Sequence, residues 1–76
     1  MTSAQIRAAR ALLNWTIQEL AEKVGVDRNT IAQIEAGRYA SDETLVVIRR
    51  VLEAAGVEFT NGRWPGVRFR PERIRP

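Results

Sequence analysis

Two N-cap patterns, with one glycine between them, constrain the fold of this chain more than any other feature. Thr16 and Glu19 have the spacing of a capping box, in which each side chain hydrogen-bonds the backbone N–H of the other residue. Asp27 supplies a second N-cap residue, and Gly25 stands where a left-handed residue ends a helix. We therefore predict one helix from Thr16 to about Val24 and a second that begins three residues after the first ends. A linker this short fixes the second helix across the first and lets its N-terminal turn project outward.

Apolar residues at helical spacing predict one helix before this pair and one after it. The first covers about residues 3–13, with Ser3 as its N-cap. The third helix is short because Gly37 closes it, and the fourth runs from its N-cap Ser41 to Gly56. The apolar residues that we expect these helices to bury are Ile6, Ala9, Leu12, Leu13, Ile31, Ile34, Leu45, Ile48 and Leu52.

After Gly56 the apolar residues recur at every second position, which indicates β-strands. Residues 57–60 and 67–70 alternate apolar with polar side chains, and the segment between them contains the turn sequences Asn-Gly and Pro-Gly. The sequence thus predicts a mainly helical fold, with four helices followed by a C-terminal β-hairpin. An isolated hairpin is only marginally stable in water, so we expect this one to pack on the fourth helix, to pair with a second chain, or both.

Composition excludes most classes of enzyme and metalloprotein. The chain has no cysteine and no histidine, which removes disulfides, thiolate zinc sites and the commonest general base. We therefore expect no catalytic activity, no metal, no cofactor and no small-molecule substrate. The longest uncharged apolar run, Leu45 to Ile48, is far shorter than the roughly 20 residues that span a bilayer, and the N-terminus lacks the apolar core of a signal peptide. We expect a cytoplasmic protein with no membrane contact.

The excess of positive over negative charge is confined to the C-terminal end of the chain. Residues 1–56 contain seven basic and seven acidic residues, so their net charge is zero. Residues 57–76 contain five arginines and two glutamates, which accounts for the whole net charge of +3. Arginine binds phosphate and carboxylate groups through its planar fork of donors. The arginine-rich end is either such a binding element or a solubilising tail, and composition does not decide between them.

The exposed face of the third helix carries side chains that can read DNA bases. Ile31 and Ile34 are the residues of this helix that we expect to face the core. The opposite face then carries Arg28, Asn29 and Gln33, with two alanines that allow close approach. Arginine can form two hydrogen bonds with guanine O6 and N7, and asparagine or glutamine can do the same with adenine N6 and N7. A solvated helix face often carries the same residue types, but the short turn before this helix favours insertion into the major groove.

These motifs resemble those of the lambda-repressor-like, Cro-type (XRE) helix-turn-helix family over about residues 4–56. The resemblance rests on Glu19-Leu20-Ala21, Gly25-Val26, Thr30-Ile31 and the run from Ile34 to Arg38. It implies a domain that binds double-stranded DNA through its third helix. The residues at the base-reading positions would be Arg28, Asn29 and Gln33, and those that meet the DNA backbone would be Thr16, Gln18, Thr30, Arg38 and Tyr39.

The resemblance also implies a structural ion pair between Arg10 of the first helix and Glu35 of the third. Three positions depart from the family pattern, one of which is Ala32, where serine is common. Ile17 stands where members often carry a phosphate-binding glutamine, and Gln18 follows one position later. Asp27 stands where serine or threonine is frequent, and its negative charge opposes DNA binding unless the start of the helix absorbs it.

The energetics of base recognition favour a homodimer. Three base contacts at roughly 1–3 kcal/mol each barely reach the roughly 4–10 kcal/mol that separates specific from nonspecific binding. We therefore predict a homodimer on an inverted repeat whose half-sites lie about one helical turn apart. The surface that we expect to hold the second copy or another protein comprises Val47, Val51, Phe59, Trp64 and Phe69.

The sequence therefore predicts a sequence-specific transcriptional regulator at the nucleoid, a repressor that occupies its operator and blocks polymerase. Residues 1–56 would form the DNA-binding domain, residues 57–70 the hairpin that packs on the fourth helix or dimerises, and residues 71–76 a flexible tail. The alternative is an antitoxin-like or scaffold module, which would hold a protein partner through the hairpin and tail. In that case DNA binding would be secondary.

Overall fold

Four helices followed by a two-stranded antiparallel sheet make up the fold, as the sequence predicts. The computed structural model describes residues 1–71, so the predicted tail lies, apart from Pro71, outside the described residues. The elements are α1 (Ser3–Leu12), α2 (Ile17–Val24), α3 (Arg28–Glu35), α4 (Asp42–Ala54), β1 (Val57–Thr60) and β2 (Gly66–Phe69).

The first helix begins at Ser3, but its N-cap lies one residue earlier than the sequence pattern predicts. Its N-cap is Thr2, whose hydroxyl accepts a hydrogen bond from the Gln5 N–H at 3.1 Å. The Gln5 side-chain oxygen accepts in return from the Thr2 N–H at 2.7 Å. The prediction of Ser3 as N-cap is therefore wrong. A capping box needs a polar side chain three residues after the cap, and the residue three positions after Ser3 is Ile6.

The turn between α2 and α3 has the predicted length and the predicted glycine conformation. Gly25 has a φ of +87°, and its N–H donates to the Ala21 carbonyl at 2.8 Å. Asp27 takes the extended backbone of an N-cap, as predicted, but its carboxylate accepts no capping hydrogen bond. Ser41, which like Asp27 has a threonine three residues further on, does accept such a bond from the Thr44 N–H at 3.2 Å, and nothing in the structure explains the difference.

We expect Gly25→Ala to lower the free energy of unfolding by about 1–2 kcal/mol, the cost of a left-handed backbone for an L-residue. A Cβ at this position would meet no atom within 4 Å, so the whole effect would come from the backbone. Asn14→Gly is the matched control, because Asn14 follows α1 with a φ of +58°. Removal of its Cβ should raise the free energy of unfolding by about 0.5–1 kcal/mol. Urea unfolding followed by circular dichroism measures both, and an unchanged midpoint for Gly25→Ala would contradict the expectation.

The core lies between the four helices and β1. Its buried apolar residues are Ile6, Ala9, Leu20, Ala21, Ile31, Ile34, Ile48, Leu52, Val57 and Phe59. Leu12, Leu13 and Leu45, which the sequence places in the core, are only partly buried and pack against its edge. None of the helices within residues 1–71 is long and apolar enough to cross a membrane.

The hairpin packs on its own chain. β1 lies against α4 and β2 lies against α1. Val57 pairs with Phe69 and Phe59 pairs with Val67, so these four side chains share one face of the sheet. The second strand covers Gly66–Phe69, one residue earlier than the predicted 67–70, because Gly66 pairs with the last residue of β1.

A buried glutamine connects α1 to the loop end of the hairpin. The side-chain nitrogen of Gln5 donates to the carbonyl oxygens of Thr60 and Gly66, each at 3.0 Å. These two residues form the strand pair next to the hairpin loop, and Gln5 is 3% exposed. One amide group therefore caps α1 through its oxygen and holds the hairpin through its nitrogen.

Candidate nucleic-acid interface

A buried ion pair holds α3 against α1. The Arg10 guanidinium donates from Nε and Nη2 to the two carboxylate oxygens of Glu35, at 2.8 and 3.0 Å. The Glu35 side chain is 5% exposed and that of Arg10 is 21% exposed. The hydrogen bonds to Glu35 raise the pKa of Arg10 above its usual value, so the guanidinium stays charged. These are the two residues that the family resemblance pairs.

Further bonds from α1 reach the backbone on both sides of the turn unit. Arg10 also donates from Nη1 to the carbonyl of Trp15, just before α2, at 2.9 Å. Arg7 donates from Nη1 to the backbone carbonyl of Glu35, the last residue of α3. The start of α2 and the end of α3 are therefore both fixed to the same helix.

The side of α3 that faces away from the core carries the predicted base-reading residues. Ile31 and Ile34 are buried, whereas Arg28, Asn29 and Gln33 are exposed. Asn29 and Gln33 are four residues apart, so they are neighbours on the helix surface. No hydrogen bond or ion pair within residues 1–71 engages these three exposed side chains. Their donors and acceptors are therefore available to a ligand.

The end of α3 turns the chain outward at the predicted glycine. Gly37 has a φ of +85°, its N–H donates to the Ile34 carbonyl, and the Arg38 N–H donates to the Gln33 carbonyl, both at 3.0 Å. This pair of bonds is a Schellman motif. It places Arg38 and Tyr39 in an exposed loop directly after α3, with the Tyr39 side chain 89% exposed. Both residues of this loop that we predict to contact the DNA backbone are therefore exposed.

The start of α2 has the predicted capping box and two exposed polar residues. The Thr16 hydroxyl accepts from the Glu19 N–H, and the Glu19 carboxylate accepts from the Thr16 N–H, both at 3.0 Å. Hydrogen bonding of the Glu19 carboxylate to the Thr16 N–H, and then to the Thr16 hydroxyl, lowers the pKa of Glu19, which keeps a negative charge beside Thr16. Gln18 donates its side-chain amide to Glu22 at 3.0 Å, while Thr30 of α3 is half-buried. A phosphate at the start of α2 would therefore meet Glu19 as well as Thr16.

Comparison with known proteins gives the family. A family model described as helix-turn-helix matches residues 6–59, from the middle of α1 to β1. The chain belongs to the helix-turn-helix family, of the XRE type. This helix-turn-helix protein is a DNA-binding transcription regulator and not an enzyme, as the sequence predicts.

Two curated relatives are similar to this helix-turn-helix protein over most of its length. One is named an uncharacterized HTH-type transcriptional regulator of Methanothermobacter thermautotrophicus. It is 45% identical over 53 residues, which cover 70% of this chain and 74% of the relative. The other is named an uncharacterized HTH-type transcriptional regulator of Methanocaldococcus jannaschii. It is 39% identical over 54 residues, or 71% of this chain and 79% of the relative.

The residues predicted to form a dimer or partner surface do not all lie at the surface of the helix-turn-helix protein. Trp64 is 82% exposed in the hairpin loop and Val47 is 38% exposed on α4, whereas Val51 and Phe69 are partly buried. Phe59 is only 7% exposed and belongs to the chain's own core. The placement of Phe59 on a partner surface is thus corrected, because β1 packs its inner face against α4.

Sequence reasoning missed two residues that position the interface. Gln5 joins α1 to the hairpin, and Arg7 bonds the last carbonyl of α3. The Thr2-x-x-Gln5 spacing is a capping-box pattern, so the role of Gln5 at the start of α1 was visible in the sequence. Its bonds to the hairpin were not, since they join residues 55 and 61 positions apart. No group of acidic side chains within residues 1–71 is arranged to hold a metal ion.

Proposed function

We propose that this protein is a sequence-specific repressor that binds an inverted-repeat operator as a homodimer. The observation that carries the proposal is the exposed, unpaired face of α3, with Arg28, Asn29 and Gln33 standing opposite the buried Ile31 and Ile34. A repressor of this kind acts by occupancy, because a protein bound at an operator excludes polymerase from the same DNA. The site would lie in the cytoplasm at the nucleoid.

The role that we propose for each residue in DNA binding follows from the chemistry of its side chain. Arg28 suits guanine, and Asn29 and Gln33 suit adenine, because each can form two hydrogen bonds with the major-groove edge of that base. Thr16, Gln18, Thr30, Arg38 and Tyr39 would contact phosphates or sugars and fix the position of the protein on the duplex. Arg10 and Glu35 would set the orientation of α3 without touching DNA.

Two copies of the domain are proposed because one copy offers few base contacts. Three contacts at roughly 1–3 kcal/mol each give little margin over nonspecific binding, whereas six give ample discrimination. A twofold dimer would place its two α3 helices in successive major grooves, on half-sites about one helical turn apart. Residues 1–56 would then be the DNA-binding part, and residues 57–70 would support it by packing on α1 and α4.

Selection of bound sequences from a random duplex pool tests the proposal. We expect the wild-type chain to recover an inverted repeat, and we expect Arg28→Ala/Gln33→Ala to lose the motif at the positions that those side chains read. Each lost two-bond contact should cost about 1–3 kcal/mol of discrimination between bases. Circular dichroism would show that the double variant keeps its fold, since both side chains are exposed.

Arg38→Ala is the matched control for this experiment. It removes an exposed arginine just beyond α3, where we propose a phosphate contact. It should weaken binding about equally for all sequences and reduce the salt dependence, while the recovered motif stays the same. A pool that returns no motif with the wild-type chain, and binding that depends only on salt, would refute the base-reading proposal.

A second candidate function, a protein-interaction module, is favoured by one observation. Trp64 is 82% exposed at the tip of the hairpin, with the Arg63 guanidinium 5.8 Å from its ring centroid. Exposed tryptophan and arginine are the residue types that most often anchor protein interfaces. This candidate predicts weak DNA binding without sequence preference, so the same selection experiment separates the two functions.

A further inference from the structure

The outer face of α4 carries an unpartnered stripe of four residues. Glu43, Val46, Val47 and Arg50, here called the α4 stripe, recur at spacings of three and four and therefore lie along one side of the helix. All four are exposed, with Val46 at 47% and Val47 at 38%. Only four large apolar side chains stand exposed within residues 1–71, and this stripe contains two of them. An apolar pair flanked by charges is typical of a small helix–helix contact.

The two charged residues of the α4 stripe have no partner among the described residues. Two surface ion pairs form among the described residues, Arg49 with Glu53 at 3.1 Å and Arg68 with Glu58. Within residues 1–71, neither Glu43 nor Arg50 makes a hydrogen bond, an ion pair or a ring contact. The stripe thus presents one free negative charge near the start of α4 and one free positive charge beyond its middle.

The stripe is complementary to itself. Glu43 lies as far before the midpoint between Val46 and Val47 as Arg50 lies after it. If two α4 helices pack antiparallel about a twofold axis through that midpoint, Glu43 meets Arg50 of the partner subunit at both ends. Val46 then lies level with the partner's Val47. An isologous interface requires this kind of self-matching surface, because the same patch faces itself.

Shallow apolar grooves run along both sides of the valine pair. Val46 lines one groove with Met1 and Leu45, and the charged residues Asp42 and Arg49 border it. Val47 lines the other groove with Val24 and Val26, and Glu43 and Thr44 border that one. Helices pack by placing the side-chain ridge of one into the groove of the other. Each valine of one copy could therefore enter a groove beside the valines of the other copy.

We propose that the α4 stripe is the docking site for a second copy of this chain, in the antiparallel register that pairs Glu43 with the partner's Arg50. The inference rests on the homodimer of the proposed function and goes further by naming the surface, the register and the two ion pairs. Because the stripe is short, the dimer is weak without DNA, with a dissociation constant on the order of micromolar.

Charge reversal tests the register. Sedimentation of the full chain without DNA, from about 1 to about 200 µM, would show a monomer–dimer equilibrium for the wild type. Glu43→Arg and Arg50→Glu should each weaken self-association by about tenfold or more, because each homodimer then has two like-charge pairs. Mixing these two variants restores both ion pairs, so native mass spectrometry should show the heterodimer in excess of either homodimer. The double variant Glu43→Arg/Arg50→Glu should dimerise like the wild type.

Matched controls separate the register from net charge. Glu22→Arg and Lys23→Glu make the same changes of charge at exposed sites outside α4 and should leave the dimer unchanged. Three results would overturn the inference: a wild type that stays monomeric, a dimer that neither reversal weakens, or a mixture without excess heterodimer. The last two would assign the contact to another surface, such as Trp64, or to another register.

The experiments can refute either proposal without refuting the other. If the wild type is monomeric without DNA and the random pool still returns an inverted repeat, the α4 stripe is overturned and the operator-binding function stands. If the heterodimer forms as expected but the pool returns no motif, the stripe stands and the operator-binding function is overturned.

Discussion

Arg10→Met is expected to lower the free energy of unfolding by about 3–5 kcal/mol, a large share of the stability of a domain this small. Methionine keeps the apolar contacts of the arginine stem but leaves the Glu35 carboxylate buried and unpaired. The Glu35 side chain is 5% exposed and receives both of its side-chain hydrogen bonds from Arg10. The Trp15 carbonyl also loses its bond from Nη1. Urea unfolding followed by circular dichroism measures the loss.

The double variant Arg10→Met/Glu35→Leu is the control for the ion pair. It removes the unpaired charge together with its partner, so we expect it to be clearly more stable than Arg10→Met alone. This comparison isolates the cost of the buried charge from the cost of lost packing. If the double variant were no more stable than the single one, the pair would not behave as a buried charge pair, and the energetic role assigned to Glu35 would be wrong.

Gln5→Leu is expected to destabilise the protein by about 2–3 kcal/mol, about 1 kcal/mol for the lost bond from the Thr2 N–H and the rest for the two bonds to the hairpin. Leucine has a similar volume, so the loss comes from the polar groups left behind at Thr2, Thr60 and Gly66. Because the bonds to the strands join α1 to the loop end of the hairpin, amide hydrogen exchange should speed up more in β1 and β2 than in α3.

Two further variants separate the functions of this glutamine. Thr2→Ala removes only the side-chain cap and should cost about 1 kcal/mol without a change in hairpin exchange. Gln5→Glu keeps an acceptor for the Thr2 N–H but places a carboxylate against the carbonyls of Thr60 and Gly66. It should therefore retain the cap and release the hairpin. Equal exchange in all three variants would show that Gln5 does not hold the strands.

The parts of this fold that depend on local backbone chemistry were predictable from the sequence. Thr16 and Glu19 form the predicted capping box, and Gly25 and Gly37 take left-handed conformations where the pattern places helix ends. Each of these devices involves residues only a few positions apart. The exposed face of α3 followed from the same logic, because burial of Ile31 leaves only one side of a short helix outside.

What the sequence could not supply were contacts between residues distant in the chain. Phe59 alternates correctly for a strand, but alternation does not say whether its face meets α4 or a second chain. In the sequence, Arg7 resembles any exposed arginine of a helix. The structure shows that α3 ends beside it, where it bonds the Glu35 carbonyl. In each case tertiary placement decided the role of the side chain.

The bonds from Arg7 and Arg10 mean that α3 is already in place before any duplex arrives. Binding then loses little conformational entropy in ordering that helix, and affinity for every sequence scales with the fraction of chains that are folded. A substitution that lowers the folded fraction without changing the folded α3 would therefore lower the apparent affinity for all operators by the same factor, and their ranking would stay the same. In a cell, such a change would act like a lower concentration of the regulator. Its preference among DNA sequences would stay the same.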